Sequence, residues 1–306
     1  MNTDKLRILN ISSNDWANYS YSNMVALRSV GIEADGLKVH PHGFGYQNQH
    51  PLASRAEIAT QLDKYDIVQI FNSDISMLPM VRSFKGKIVV YHTGTGYREK
   101  PKELNAYFNP IIWKTCIAHG EFANKGAKNE VYIDRAVDTD IIKPVYNNLT
   151  KPYKFLHCPS SAEVKGTKAI QRMMDACGAN FKSDVSILSH PESLERMKDC
   201  DIYVELFSPE VNGKKYGHFG VTAIEAAAMC KVVVTQNLSV DVYDKYYGGS
   251  PLILAKDEKD FKDKIKWLMS LEPLELRELQ HAHRKWAVEK HSFKAMGEKL
   301  IRILDL

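Results

Sequence analysis

Residues 213–235 read Gly213-Lys-Lys-Tyr-Gly-His-Phe-Gly-Val-Thr-Ala-Ile-Glu-Ala-Ala-Ala-Met-Cys-Lys-Val-Val-Val-Thr235. They predict a flexible glycine-bearing loop, a helix over residues 221–229 and a buried strand over residues 231–235. Gly217 and Gly220 permit close backbone approaches that a side chain would obstruct. A helix opening near Val221 presents unpaired N–H groups and the positive end of its dipole, an anion site suited to a diphosphate. Glu225 lies one turn inside, where its carboxylate can accept hydrogen bonds from ribose hydroxyls. The alanine-rich face that follows permits close packing on a sheet. The same residues also suit an ordinary βα turn with a solvated glutamate.

Outward from this block, short apolar runs alternate with longer amphipathic ones, the pattern of layered α/β structure. Strands are predicted at residues 6–11, 34–39, 66–71, 87–91, 115–118 and 130–133, with helices at 22–29 and 58–63. A linker-like stretch, residues 143–152, carries two prolines and two adjacent asparagines. The rhythm then restarts, with strands at 153–157, 185–188, 201–206, 231–235 and 252–254 and helices at 167–177 and 194–200. The tail from Asp257 reads as helical, broken near Pro273. Two α/β halves follow, residues 1–148 and 149–306, expected as two Rossmann-like domains facing a cleft.

Composition narrows the function classes. The 41 basic and 37 acidic residues leave a formal charge of +4, too weak and too dispersed for a dedicated nucleic-acid binder. No apolar run approaches the roughly 20 residues that span a bilayer. The polar start, Met1 to Asp4, passes straight into a strand, so no secretory signal is expected. Five scattered cysteines without a CxxC pair read as free thiols, and a cytoplasmic location is the expectation. His40, His42 and His50 around Gly43-Phe-Gly45 fit no zinc spacing and read as a mobile surface loop. His281 and His283 read as solvated. The first strand is followed by Ser-Ser-Asn-Asp and no dinucleotide fingerprint, which disfavours an oxidoreductase.

Gly217-His218-Phe219-Gly220, Glu225-Ala226 and Lys231-Val-Val-Val234 together resemble the E-x-F-G-x-x-x-x-E-A loop and helix, with the strand after it, of family 4 glycosyltransferases. The resemblance implies the GT-B fold, with a C-terminal helix that crosses back onto the first domain. It implies that Gly217, His218, Phe219, Gly220, Val221, Thr222 and Glu225 surround a nucleotide-sugar donor, with Glu225 on the ribose. The family's first glutamate is replaced by Gly217, which leaves the sugar contacts open. His157-Cys-Pro-Ser-Ser-Ala-Glu-Val-Lys-Gly-Thr167 is similar to the family segment whose lysine reaches the donor diphosphate, a role that falls to Lys165. The arginine that many relatives carry just before this lysine is absent.

A weaker similarity covers Asp66-Ile-Val-Gln-Ile-Phe-Asn72 and Val90-Tyr-His-Thr-Gly-Thr95 with Arg98. It implies His92 and Arg98 near the reacting centre, although a structural histidine suits His92 equally. Asn14 and Asp15, in the loop after the first strand, are candidate acceptor contacts. Asp138, in Val137-Asp-Thr-Asp-Ile141, is read as structural.

The resemblance implies transfer from a UDP- or GDP-linked sugar with retention of configuration, with no cofactor and no requirement for a metal. Lys165, the start of the helix at Val221 and Arg98 would stabilise the departing diphosphate. The acceptor class stays open among glycan, lipid-linked and other hydroxyl compounds. Arg98-Glu-Lys-Pro-Lys102 beside Phe108 and Ile111-Ile-Trp113 suits either a peripheral membrane contact or a core helix with charged flanks. A nucleotide-sugar-binding protein without turnover and a GT-B epimerase are the alternative functions.

Overall fold

The computed structural model describes residues 6–43, 48–217, 219–236 and 239–306. The chain divides into two compact units. The first comprises the residues up to Ala136 together with His291–Leu306, and the second comprises Val137–Lys290. Residues 137–148 therefore lie in the second unit, and the last helix lies in the first.

In the first unit β1 (Arg7–Ser12), β2 (Glu33–Lys38), β3 (Ile67–Ile70), β4 (Lys87–His92), β5 (Lys114–Ile117) and β6 (Glu130–Tyr132) form one sheet in the order β2-β1-β3-β4-β5-β6. Every pair is parallel. Parallel strands covered on both faces need continuous apolar runs, and Ile88-Val-Val-Tyr91 is buried at all four positions. One face packs Leu9, Ile11, Val68, Ile70 and Val90 against Met77, Val81, Phe108 and Ile112. The helices are α1 (Tyr19–Ser29), α2 (Arg55–Ala59), α3 (Leu78–Val81), α4 (Gly94–Glu99) and α5 (Pro101–Phe108).

In the second unit β7 (Phe155–His157), β8 (Phe181–Ser183), β9 (Ile202–Leu206), β12 (Val232–Gln236) and β13 (Ile253–Ala255) form a parallel sheet in the order β13-β12-β9-β7-β8. A small antiparallel hairpin, β10 (Glu210–Val211) and β11 (Lys214–Lys215), stands apart. Around the sheet lie α6 (Thr167–Cys177), α7 (His190–Met197), α8 (Val221–Ala228), α9 (Val240–Tyr247), α10 (Glu258–Ser270) and most of α11 (Pro273–His291). Ile170, Met173 and Met174 of α6 join Phe261, Ile265 and Leu268 of α10 over Val204 and Val232.

The chain then returns to the first unit as α12 (Phe293–Ile303), which packs along α1. Gly297 makes that approach possible, because a Cβ there would stand 2.2 Å from the Ala26 carbonyl oxygen. His291 Nδ1 donates to the Arg135 carbonyl at 2.9 Å and holds the start of this segment.

Several local expectations shift. The strand expected at residues 185–188 lies earlier, at Phe181–Ser183, and Val185 and Ile187 are 55% and 63% exposed. An apolar run signals burial only where a layer exists to cover it. His42, His50 and His283 are buried, contrary to the surface reading. His50 donates to or accepts from Ser20 Oγ at 3.1 Å, and burial pushes the His50 and His283 rings down to about 4. Phe44 and Gly45 lie outside the described residues. Phe108 and Ile112 belong to the core, so the apolar part of the expected basic and apolar patch faces inward. Among the described residues no helix is long and apolar enough to cross a membrane.

Candidate functional site

Counted within its own unit, the second sheet has the strand order 2-1-3-4-5, which reverses direction between β7 and β9. Loops at the carboxyl ends of strands flanking such a switch point are where open α/β sheets hold ligands. Both halves of the sequence-predicted site emerge there. Lys165 follows β7, and Gly220 closes the loop that follows β9.

Glu205 joins them. Its side chain is fully buried at the end of β9 and accepts a hydrogen bond from Lys165 Nζ. It also accepts from Gly220 N at 3.1 Å and from Thr235 Oγ1 at 3.0 Å. A Cβ built on Gly220 would lie 2.9 Å from both Lys165 Nζ and Glu205 Oε1, so the lysine amine stands directly beside the start of α8. Gly166 has φ +72°, and a Cβ there would stand 2.0 Å from the Phe207 carbonyl oxygen. The Lys165 turn thus needs glycine for both conformation and space.

His157 braces the same turn. Its Nδ1 lies 2.8 Å from the Val204 carbonyl and must donate, so Nε2 accepts from Thr167 Oγ1 at 2.9 Å. Burial pushes the ring down to about 4 and keeps it neutral.

Glu225 is 5% exposed, and its Oε1 lies 2.7 Å from His190 Nε2 at the start of α7. This hydrogen bond raises the His190 pKa above its ordinary value. Phe219 anchors the loop, edge-on to Tyr243 at 5.3 Å and to Trp286 at 5.8 Å. Gly217 is buried, while Val221 and Thr222 are partly exposed. His218 lies outside the described residues. Lys214 and Lys215, in the segment expected as a flexible loop, pair with Val211 and Glu210 in a hairpin, beyond which Tyr216 N donates to the Pro209 carbonyl at 3.0 Å. Gln236 ties it down, accepting from Ser208 N at 2.7 Å and donating to the Tyr216 carbonyl.

The first sheet also reverses, between β1 and β3. A cavity of about 450 Å³ opens at these strand ends, bordered by Trp16, Tyr19, Asn72, Thr93, Thr95 and Arg135 among others. Small-molecule sites span roughly 300–1,000 Å³. Ala17, Asn18, Asn72 and Ser73 all have positive φ, each costing on the order of 1 kcal/mol for a residue with a side chain. Asn72 is held by donating to the Asn14 carbonyl and accepting from Thr93 Oγ1, both at 2.6 Å.

His92, Arg98, Asn14 and Asp15 do not border this cavity. His92 is completely buried, stacked on Tyr97 at 3.9 Å with Nδ1 2.9 Å from Ser73 Oγ, and burial pushes it down to about 3. Arg98 is buried in an ion pair with Glu121 at 2.7 Å. Asp15 accepts from Ser20 N at 2.8 Å and Tyr21 N at 2.9 Å and so caps α1. Burial raises its pKa to about 6. Asp138 accepts from Asp140 N and Ile141 N at 3.0 and 2.9 Å, holding a turn. Glu205, His190 and Arg135 were not singled out from sequence. Each acquires its partner from 16 to 40 residues away, and no local spacing announces it.

Two Rossmann-like units, each with its loops gathered at a switch point, define the GT-B fold. Solved structures of that fold match nearly the whole chain. HepE from Anabaena, solved with UDP and glucose, is 11% identical with a TM-score of 0.71, covering 98% of this chain and 99% of its own. The lipopolysaccharide outer core galactosyltransferase WaaB is 12% identical with a TM-score of 0.64, covering 98% and 99%. A putative UDP-N-acetylglucosamine 2-epimerase from Listeria monocytogenes is 10% identical with a TM-score of 0.51, covering 98% and 95%. No family model and no curated protein matches the chain by sequence.

Proposed function

We propose that this chain is a nucleotide-sugar-dependent glycosyltransferase that moves a sugar to an acceptor hydroxyl with retention of configuration and without a metal. The observation that carries this reading is the meeting of Lys165, Glu205 and Gly220 at the second unit's switch point, with Glu225 a turn further along α8. A donor diphosphate would draw the Lys165 ammonium as a point charge and accept from the first amides of α8. The donor ribose would take Glu225 in exchange for His190. The UDP complex of HepE supports a UDP-linked donor, with a GDP-linked one the other expected class.

In the proposed step the bond from the sugar C1 to the diphosphate oxygen breaks. The acceptor oxygen bonds to C1 from the same face, and its proton passes to the departing phosphate oxygen. No protein nucleophile takes part, so the protein contributes positioning and charge stabilisation. Lys165 and the start of α8 do this work in the second unit. The acceptor, a glycan, lipid-linked or other hydroxyl compound, is assigned to the first unit. His92 and Arg98 act there by holding strand-end turns.

Thermal stabilisation by a panel of nucleotide sugars tests the reading, since a ligand at 100 times its Kd stabilises by about 2.7 kcal/mol. Lys165→Ala and Glu225→Ala should each weaken donor binding tenfold or more. If no nucleotide sugar stabilises the protein, the reading fails. Donor incubated without acceptor separates the alternatives. An epimerised sugar nucleotide would favour the epimerase. Donor binding without turnover on any acceptor would favour a protein without activity, as Gly217 in place of a glutamate suggests.

A further inference from the structure

Arg135 borders the first-unit cavity and is nine-tenths buried, with 9% of its surface exposed. Its guanidinium lies over the Tyr19 ring, 5.4 Å from the centroid. Nη2 donates to His119 Nε2 at 3.0 Å, so that ring nitrogen is unprotonated. Nη1 is ion-paired with Asp134 Oδ1 at 3.8 Å, a separation too long for a hydrogen bond. The Asp134 carboxylate is already engaged, accepting from Arg135 N at 2.7 Å and from the Tyr132 hydroxyl at 3.1 Å. Nε and Nη1 of Arg135 are buried and have no hydrogen-bond partner among the described residues.

An arginine cannot shed its charge, and a guanidinium held by stacking, one ion pair and a single hydrogen bond has more N–H groups than those contacts use. The rest of the cavity has a different chemistry. Trp16, 45% exposed and met edge-on by the His42 ring at 5.6 Å, borders the cavity with an apolar ring of the kind that suits the C–H face of a sugar. Thr95 at the rim and Asn72 and Thr93 deeper in supply hydroxyl and amide groups.

We infer that this cavity takes a small acidic carbohydrate, its ring against Trp16 and its carboxylate or phosphate on Arg135. The inference deepens the proposed function, since on that reading the acidic carbohydrate is the acceptor or its recognised end. Binding itself does not depend on that reading.

Ligand-observed NMR titrations with glucuronate, glucose 6-phosphate, glucose and inorganic phosphate test it. At least one of the two sugar acids should bind ten or more times tighter than glucose, and the tighter one identifies the anionic group. Arg135→Gln should remove this advantage. Thr95→Glu, at an exposed position, should weaken both acids more than tenfold and glucose little, and it serves if Arg135→Gln does not fold. Trp16→Ala should weaken every sugar and leave inorganic phosphate unchanged. Glucose bound as tightly as the acids, inorganic phosphate bound as tightly as the sugar phosphate, or unchanged acid affinity in Thr95→Glu overturns the inference. UDP titrated into the same samples keeps the two readings apart. UDP binding without acid preference sinks only the cavity inference, and acid preference without UDP binding sinks only the donor assignment.

Discussion

Lys165 Nζ donates to Glu205 across 40 residues of sequence, and the same carboxylate accepts from Gly220 N and Thr235 Oγ1. One buried glutamate therefore holds both halves of the candidate donor site and the neighbouring strand. The same carboxylate is the ion-pair partner of the lysine.

Glu205→Ala removes one buried acceptor from three donors at once, one of them charged. Removing one partner of a buried pair costs about 3–5 kcal/mol, and Glu205→Gln should cost less because an amide oxygen can still accept. Urea unfolding of both variants checks this, and a wild-type midpoint for Glu205→Ala would show that the carboxylate joins nothing.

Gly166→Ala should destabilise the second unit by about 1–3 kcal/mol, since the residue combines a positive φ with backbone 2.0 Å from the added carbon. Displacement of Lys165 should accompany it, so donor affinity should fall as well. The measurement is a thermal melt with and without UDP. A variant that melts and binds like wild type would refute both effects.

His190 shares Glu225 with the proposed ribose, and its pKa is raised by that hydrogen bond. The stabilising contact is fully present below the ordinary histidine pKa and is lost as pH rises through the raised folded value. Donor affinity should therefore increase with pH across that window, and His190→Gln should flatten the dependence. Isothermal titration of UDP-glucose at several pH values distinguishes this from an affinity that is indifferent to His190.

Acid should destabilise the second unit through His157 and His283, both buried and held at about 4. Their folded pKa values are depressed, so the stability they contribute is present above the unfolded value near 6.5. It is lost as pH falls toward 4, at up to about 1.4 kcal/mol per pH unit for each. In the first unit His50 and His92 act in the same direction, while Asp15, raised to about 6, opposes them between its unfolded value and pH 6. Urea midpoints from pH 7 to 4.5 report the slope, and His283→Gln should reduce it.

What the sequence determined by itself was local. Val232-Val-Val234 and Ile88-Val-Val-Tyr91 announce buried strands because continuous apolar runs have no other stable place in an α/β layer. Gly220 followed by Val221-Thr-Ala-Ile-Glu225 announces the helix start, since loop glycine, helix former and one-turn spacing all lie within six residues. Only the tertiary structure decided the partners. In parallel sheets strands join through long crossovers, so Glu205 meets Lys165, and His190 meets Glu225, through the order β13-β12-β9-β7-β8. The same holds for His92 and Arg98, whose polar groups suit a reacting centre or a buried brace equally well. Burial against Tyr97 and Glu121, set by how distant loops converge at the end of β4, made them braces. It also left Arg135, unremarkable in the sequence, with its charge beside the cavity.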